Sequence, residues 1–198
     1  MQNYFIWIII AYFIGNFATS YLTSKMMGKI DIREHGSGNA GATNVLRVLG
    51  VKAALITFIG DALKGAIVVL MVRPLGHAQL TLACGLAVII GHNFPLLLKF
   101  KGGKGIATSI GVFLVVDPLA AAISVGLGMI LIVKSKYVSL GSITGMASLP
   151  FVLLILRRPL EIVIFGLLVG LLAVYQHRTN INRLLKGTEN KIGSKRKK

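Results

Sequence analysis

Acidic residues are almost missing from this chain: six stand against 22 lysines and arginines, and the six are scattered, as Asp31, Glu34, Asp61, Asp117, Glu161 and Glu189. Carboxylates so dispersed cannot form the cluster a divalent metal requires, which excludes the several-aspartate chemistry that joins CDP-alcohols. The His-Glu spacing of a zinc site is absent as well. The single cysteine, Cys84, lies inside an apolar run, so neither a disulfide framework nor a multi-cysteine metal site forms within one chain. No G-x-S-x-G elbow occurs, and no internal repeat is evident.

Apolar sequence is abundant instead. A hydrophobic fraction of 55% over 198 residues excludes an ordinary soluble domain and predicts an all-α integral membrane protein. The net charge of +16 does not point to nucleic acid, because the basic residues sit between apolar segments and in the tail, with no aromatic-basic reading surface. Hydropathy predicts spans over roughly 4–22, 51–72, 79–98, 118–133, 138–156 and 159–175, with polar sequence from Lys25 to about Gly50. The first span carries no cleavage site after a short core and reads as retained rather than as a signal peptide. The apolar stretch Ile106–Val133 is too long for one straight span, and Asp117-Pro118 inside it predicts a break. This leaves a short helix over 106–116, about 17 Å long.

Counting that short helix gives seven transmembrane helices. With the N-terminus outside and the C-terminus cytoplasmic, eighteen of the lysines and arginines fall on one side, against Arg73, Arg157 and Arg158 on the other. Six spans would break this asymmetry. Asp61 and Lys64, three residues apart on one helical face, are expected to neutralise each other or face the bundle interior. Gly141/Gly145 and Gly166/Gly170 are expected to serve helix packing.

The polar motifs then gather at the cytoplasmic face. Gly91 to Thr108, GHNFPLLLKFKGGKGIAT, puts Lys99, Lys101 and Lys104 among Gly102, Gly103 and Gly105, just before an apolar run. Glycines let backbone N–H groups converge, lysines add charge and the following helix offers its N-terminus, so an anion is expected there. The same stretch also reads as a juxtamembrane loop with topogenic lysines. The first loop, HGSGNAGATNVLR from His35 to Arg47, offers Ser37, Asn39, Thr43 and Asn44 around glycines, and Arg47 can fork phosphate oxygens. Its G-x-G-x-x-G match lacks a Rossmann context, and a solvated loop capping the second span remains an alternative. KYVSLGS (Lys136–Ser142) and HRTNINRLLKGTENKIG (His177–Gly193) complete the set. A helical continuation places His177, Asn180 and Arg183 along one side, and Glu189 reads as a local partner of Lys191. His35, His92 and His177 are candidate bases, each also readable as a structural histidine.

Three of these motifs, SGNAGATNVLR, the Gly-Lys stretch and HRTNINRLLKGTENKIG, together resemble the bacterial membrane-integral glycerol-3-phosphate acyltransferases that use acyl phosphate, the PlsY type. The resemblance covers essentially the whole chain. No His is followed five positions later by Asp, as in soluble and monotopic acyltransferases of this chemistry. The resemblance implies acyl transfer from acyl phosphate to the 1-hydroxyl of sn-glycerol 3-phosphate, giving lysophosphatidic acid and phosphate, in the bacterial cytoplasmic (inner) membrane. It implies one domain over 1–198, with 185–198 as a basic tail, and neither cofactor nor metal. The partners it implies are glycerol 3-phosphate, acyl phosphate and membrane lipid, with no nucleic acid, and a monomer is expected. By motif position Ser37, Asn39, Arg47, Lys104, His177 and Asn180 are catalytic. Asn44, His92, Lys101, Gly102, Gly103, Gly105, Thr108 and Ser142 bind substrate. The proton acceptor stays open among His177, His92 and a substrate phosphate, and direct transfer is preferred to an acyl-Ser37 intermediate. A small permease for organophosphate anions and a structural assembly partner are the competing classes.

Overall fold

The computed structural model describes residues 4–193, so the terminal KRKK run lies outside the described residues. Among these the secondary structure is helical: α1 (Tyr4–Gly15), α2 (Thr19–Gly28), α3 (Ala42–Leu49), α4 (Val51–Val72), α5 (Ala78–Asn93), α6 (Ile106–Val116), α7 (Pro118–Ser135), α8 (Val138–Ile155), α9 (Leu160–Gln176) and α10 (Arg178–Leu185), with short 3-10 turns between some of them. Two compact units divide between Asp117 and Pro118, at the break the Asp-Pro pair predicts. Large apolar side chains such as Phe5, Leu97, Ile155 and Leu160 are exposed all round, the inside-out distribution of a chain that spans a bilayer. Among the described residues five helical stretches are long and apolar enough to cross, six if the bent pair α9 and α10 counts as one. The eleven residues of α6 fall short of that length.

Within the first unit α4 is central, packing against α1, α2, α3, α5 and α6. Close approach depends on glycine. A Cβ on Gly15 would strike the Val88 carbonyl, and one on Gly91 the Tyr12 carbonyl, so α1 and α5 touch backbone to backbone. Gly65 meets the Thr108 carbonyl and Gly111 the Ala62 carbonyl in the same way, which presses α6 onto α4. The buried Asp61 and Lys64 pair at 2.8 Å, as their spacing predicts.

Two elements differ from the sequence expectation. The first apolar segment is interrupted at residues 16–18: Asn16 donates its side-chain amide to the Tyr12 carbonyl (2.8 Å) and accepts from the Leu97 N–H (3.3 Å), fixing the end of α1. The stretch expected to be polar loop contains the end of α2 and the whole of α3. Val45, Val48 and Leu49 of α3, at helical spacing, pack with Ile32, Ala40 and Ala53 into a small core beneath the first loop.

In the second unit α8 packs against α7 and α9 through the expected small residues: Gly141 lies against the Gly128 carbonyl and Gly170 lies toward the Met146 carbonyl. The chain bends by 60° after α9, so α10 is a new helix rather than a continuation of the last span. Its anchor is Glu189. Arg183 donates to one carboxylate oxygen at 2.6 Å, while Asn180 (2.8 Å) and Ser139 (3.0 Å) donate to the other. Arg183, Asn180 and Ser139 thus surround the carboxylate expected to pair with Lys191, and the Lys191 ammonium lies 5.3 Å from the centre of the Tyr137 ring. Burial pushes the Glu189 carboxyl upward, but the hydrogen bonds from Arg183, Asn180 and Ser139 outweigh it and hold the group below its ordinary value.

Two measurements check this packing. Gly111→Ala is expected to lower the thermal midpoint in detergent, by the equivalent of about 1–3 kcal/mol. Gly126→Ala, where a Cβ meets nothing within 4 Å, leaves the midpoint unchanged or raises it. A depressed carboxylate stabilises above its unfolded pKa and loses that contribution as pH falls through the folded value. Glu189→Gln is therefore expected to cost about 1–3 kcal/mol at neutral pH. Its deficit relative to wild type should shrink when melts are repeated below about pH 4.

Candidate active-site loops

The first loop is built around Asn44, on the opening turn of α3. Its buried carboxamide accepts from the Ser37 N–H at 2.8 Å and donates to the carbonyls of Ile32 (3.1 Å) and His35 (2.9 Å). Gly36 and Gly38 take positive φ, and a Cβ on Gly36 would collide with the Asn44 oxygen, so the loop wraps tightly round this side chain. Asn44, expected to contact substrate, has both amide hydrogens engaged in shaping the loop. Ser37 is exposed beside it, Asn39 is half-buried, and Arg47 is exposed on the outer face of α3.

Before this loop, Asp31 caps a 3-10 turn over Ile32–Glu34 and binds Arg33 through both carboxylate oxygens, at 2.6 Å for the shortest contact. The Arg33 hydrogen bonds bring the Asp31 carboxyl down to about 2, so the pair stays ionised at neutral pH. Arg33 also reaches the Leu98 carbonyl at 3.3 Å, tying the first loop to the second.

The second loop begins where α5 ends at Asn93. A 3-10 turn over Leu96–Leu98 and two residues of positive φ, Lys99 and Phe100, reverse the chain. Gly102 and Gly103 then lie back on the end of α5: the Gly103 N–H donates to the His92 carbonyl at 3.1 Å, and the Ala40 N–H donates to the Gly102 carbonyl at 3.3 Å. Neither glycine has room for a side chain. A Cβ on Gly102 would strike the His92 carbonyl, and one on Gly103 the His92 Nε2 edge. Gly105, at φ +79°, occupies the N-cap position of α6 and lies against the buried Asn93 carboxamide. Lys104 is half-buried and Lys101 exposed.

The loop therefore delivers a lysine and a helix N-terminus, with its unpaired first-turn N–H groups, to one place. Asn93 is 2% exposed, and neither of its side-chain polar atoms has a hydrogen-bond partner. The Thr108 hydroxyl is buried and unpartnered as well. Donors and charge thus point to oxyanion binding. Among the described residues no three His, Cys, Asp or Glu side chains gather into a set that could hold a metal ion.

The remaining candidates lie in the second unit. His177 sits at the α9–α10 bend, 3% exposed, and its Nδ1 lies 2.7 Å from the Ala173 carbonyl. A carbonyl only accepts, so Nδ1 carries a hydrogen, and in the neutral ring the lone pair is on Nε2. Asn180 is buried and oriented by Glu189; Ser142 is half-buried near the start of α8, one turn beyond Ser139.

Sequence reasoning missed Asn16, Arg33, Asn93 and Ser139 as supports. Only Ser139 had a signal, its i,i+3 spacing from Ser142. It also missed the company of His92: Lys64 lies 2.8 Å from its Nδ1, a contact between two helices that no local pattern announces.

Comparison with known proteins gives the family. A family model described as glycerol-3-phosphate acyltransferase matches residues 5–187. A glycerol-3-phosphate acyltransferase of Alkaliphilus metalliredigens (strain QYMF) is 57% identical over 188 residues, covering 95% of each chain. That of Thermoanaerobacter pseudethanolicus (strain ATCC 33223 / 39E) is 54% identical over 189 residues, covering 94% of each. The crystal structure of PlsY (YgiH), an integral membrane glycerol 3-phosphate acyltransferase, in its glycerol 3-phosphate form, superimposes with a TM-score of 0.92 at 38% identity, over 97% of this chain and 96% of that one. The lysophosphatidic acid form gives 0.89 at 37% identity, with the same coverage. This multi-pass membrane protein belongs to the glycerol-3-phosphate acyltransferase family.

Proposed function

We propose that this chain transfers a fatty acyl group from acyl phosphate to the 1-hydroxyl of sn-glycerol 3-phosphate, yielding lysophosphatidic acid and inorganic phosphate, the first acylation of phospholipid synthesis. The observation that carries this reading is the glycine-lysine loop, folded back on α5 at the N-terminus of α6, which suits a phosphate monoester. Glycerol 3-phosphate is held by Gly102, Gly103, Lys104 and Gly105, with Lys101, Thr108 and Arg47 alongside. The 1-hydroxyl oxygen attacks the acyl carbon, the carbonyl electrons move to oxygen, and their return breaks the bond to phosphate, which leaves with that electron pair. Ser37, Asn39 and Arg47 stabilise the charge that develops, and Asn44 holds their loop in shape. The hydroxyl proton passes to a substrate phosphate or to the Nε2 lone pair of His177, with no acyl-enzyme formed. Asn180, by its third-motif position, is assigned to catalysis and Ser142 to substrate binding. Phosphate is a good leaving group, so neither metal nor cofactor is needed.

The same reading takes residues 1–198 as one acyltransferase domain with a basic tail over 185–198, working as a monomer in the bacterial inner membrane. It takes seven crossings, N-terminus outside and C-terminus cytoplasmic, with α6 as the short one; the one-sided lysines and arginines support it. Purified protein in the presence of EDTA is expected to release phosphate and form lysophosphatidic acid from palmitoyl phosphate and glycerol 3-phosphate, and not from palmitoyl-CoA. Lys104→Ala should lower kcat/KM for glycerol 3-phosphate by about a hundredfold, the loss of one charge-assisted contact. Turnover with both donors would remove the donor assignment, and turnover with neither would favour transport of organophosphate anions.

A further inference from the structure

Lys64 lies outside every loop motif, inside α4 and 5% exposed, yet its ammonium reaches three acceptors at once. The Asp61 carboxylate is 2.8 Å away, the Phe17 carbonyl 2.9 Å and the His92 Nδ1 2.8 Å. The Asp61 oxygen is ion-paired with the ammonium without a hydrogen bond. An ammonium accepts nothing, so its contact with His92 requires a bare nitrogen at Nδ1. The Asp61 oxygen lies 3.4 Å from the same Nδ1, beyond a good N–H···O distance, as expected where that nitrogen carries no hydrogen. A neutral His92 must then hold its proton on Nε2. That is the edge a Gly103 side chain would strike, so Nε2 faces the glycine-lysine loop.

We propose that Asp61 and Lys64 are positioning residues that fix His92 as an Nε2–H donor against the glycine-lysine loop, where it hydrogen-bonds the phosphate of glycerol 3-phosphate. His92 is therefore not the proton acceptor. Nδ1 is occupied by Lys64, and Nε2 already bears a proton. His177, whose Nδ1–H is spent on Ala173, has the opposite tautomer. Asp61 supplies the negative charge that partners the ammonium at this depth.

The inference rests on the reaction proposed above, and its test separates the two. In the full-length protein labelled with 15N-histidine, with the His92 signals assigned by their loss in His92→Gln, Nδ1 is expected to resonate as a bare nitrogen and Nε2 as a protonated one. Glycerol 3-phosphate should shift the Nε2 signal. Removing one member of the ion pair alone would strand a buried charge, so the kinetic variant is the neutral double substitution Asp61→Asn with Lys64→Met. It should raise KM for glycerol 3-phosphate about tenfold, the scale of one lost hydrogen bond to a charged group, while KM for acyl phosphate stays unchanged. His92→Gln, which keeps an N–H donor, should retain more activity than His92→Phe. A protonated Nδ1 in the wild type would overturn the inference. So would a double variant that melts lower but keeps its KM for glycerol 3-phosphate. If the wild type turns over no glycerol 3-phosphate, the reaction falls while the tautomer spectrum still decides the role of Lys64.

Discussion

The backbone hydrogen bond from Gly103 to the His92 carbonyl is the constraint on which the first unit's loops depend. It forms only because two consecutive residues lack side chains; a Cβ at either would meet the end of α5. Once made, it reverses the chain within a few residues and starts α6 at Gly105, so lysine and helix N-terminus arrive together. The Ala40–Gly102 and Arg33–Leu98 contacts then join the first loop to the second. Loop geometry here is set by absent methyl groups as much as by the polar ones that remain.

Such a loop holds a small anion only if the helices beneath it stay put, and an apolar bilayer gives little force for pressing helices together. The close approaches at Gly15, Gly91, Gly65 and Gly111 supply that contact through backbone packing. Polar fasteners act where the helices end: Asn16 on Leu97, Tyr12 on the Phe94 carbonyl at 2.8 Å, and the Asp61–Lys64–His92 chain deeper down. The first two tie α1 and its end to the second loop, and the third ties α4 to the end of α5. In the second unit the buried Glu189 plays the equivalent part, gathering Ser139, Asn180 and Arg183 round one carboxylate.

Much of this was legible in the sequence, for physical reasons. The bounds of α4 and α6 follow from largely apolar runs closed by polar or Asp-Pro signals. The chain resembles its family at three motifs, and the family match bears that resemblance out. Tertiary detail was not legible. The interruption at Asn16 depends on a partner 81 residues away. The amphipathic α3 lay inside a stretch whose glycines and asparagines suggested only loop. The Arg183–Glu189 pair was missed, because a 60° bend that returns Arg183 to the carboxylate has no local signature.

Binding of glycerol 3-phosphate, measured by titration calorimetry on the purified protein without acyl donor, tests the central claim most directly when Gly103→Ala is compared with wild type. The account predicts saturable one-site binding by the wild type and none by the variant, because the added methyl displaces the loop from the His92 edge. Undiminished binding by a folded Gly103→Ala protein would contradict it and move the phosphate site away from the glycine-lysine loop.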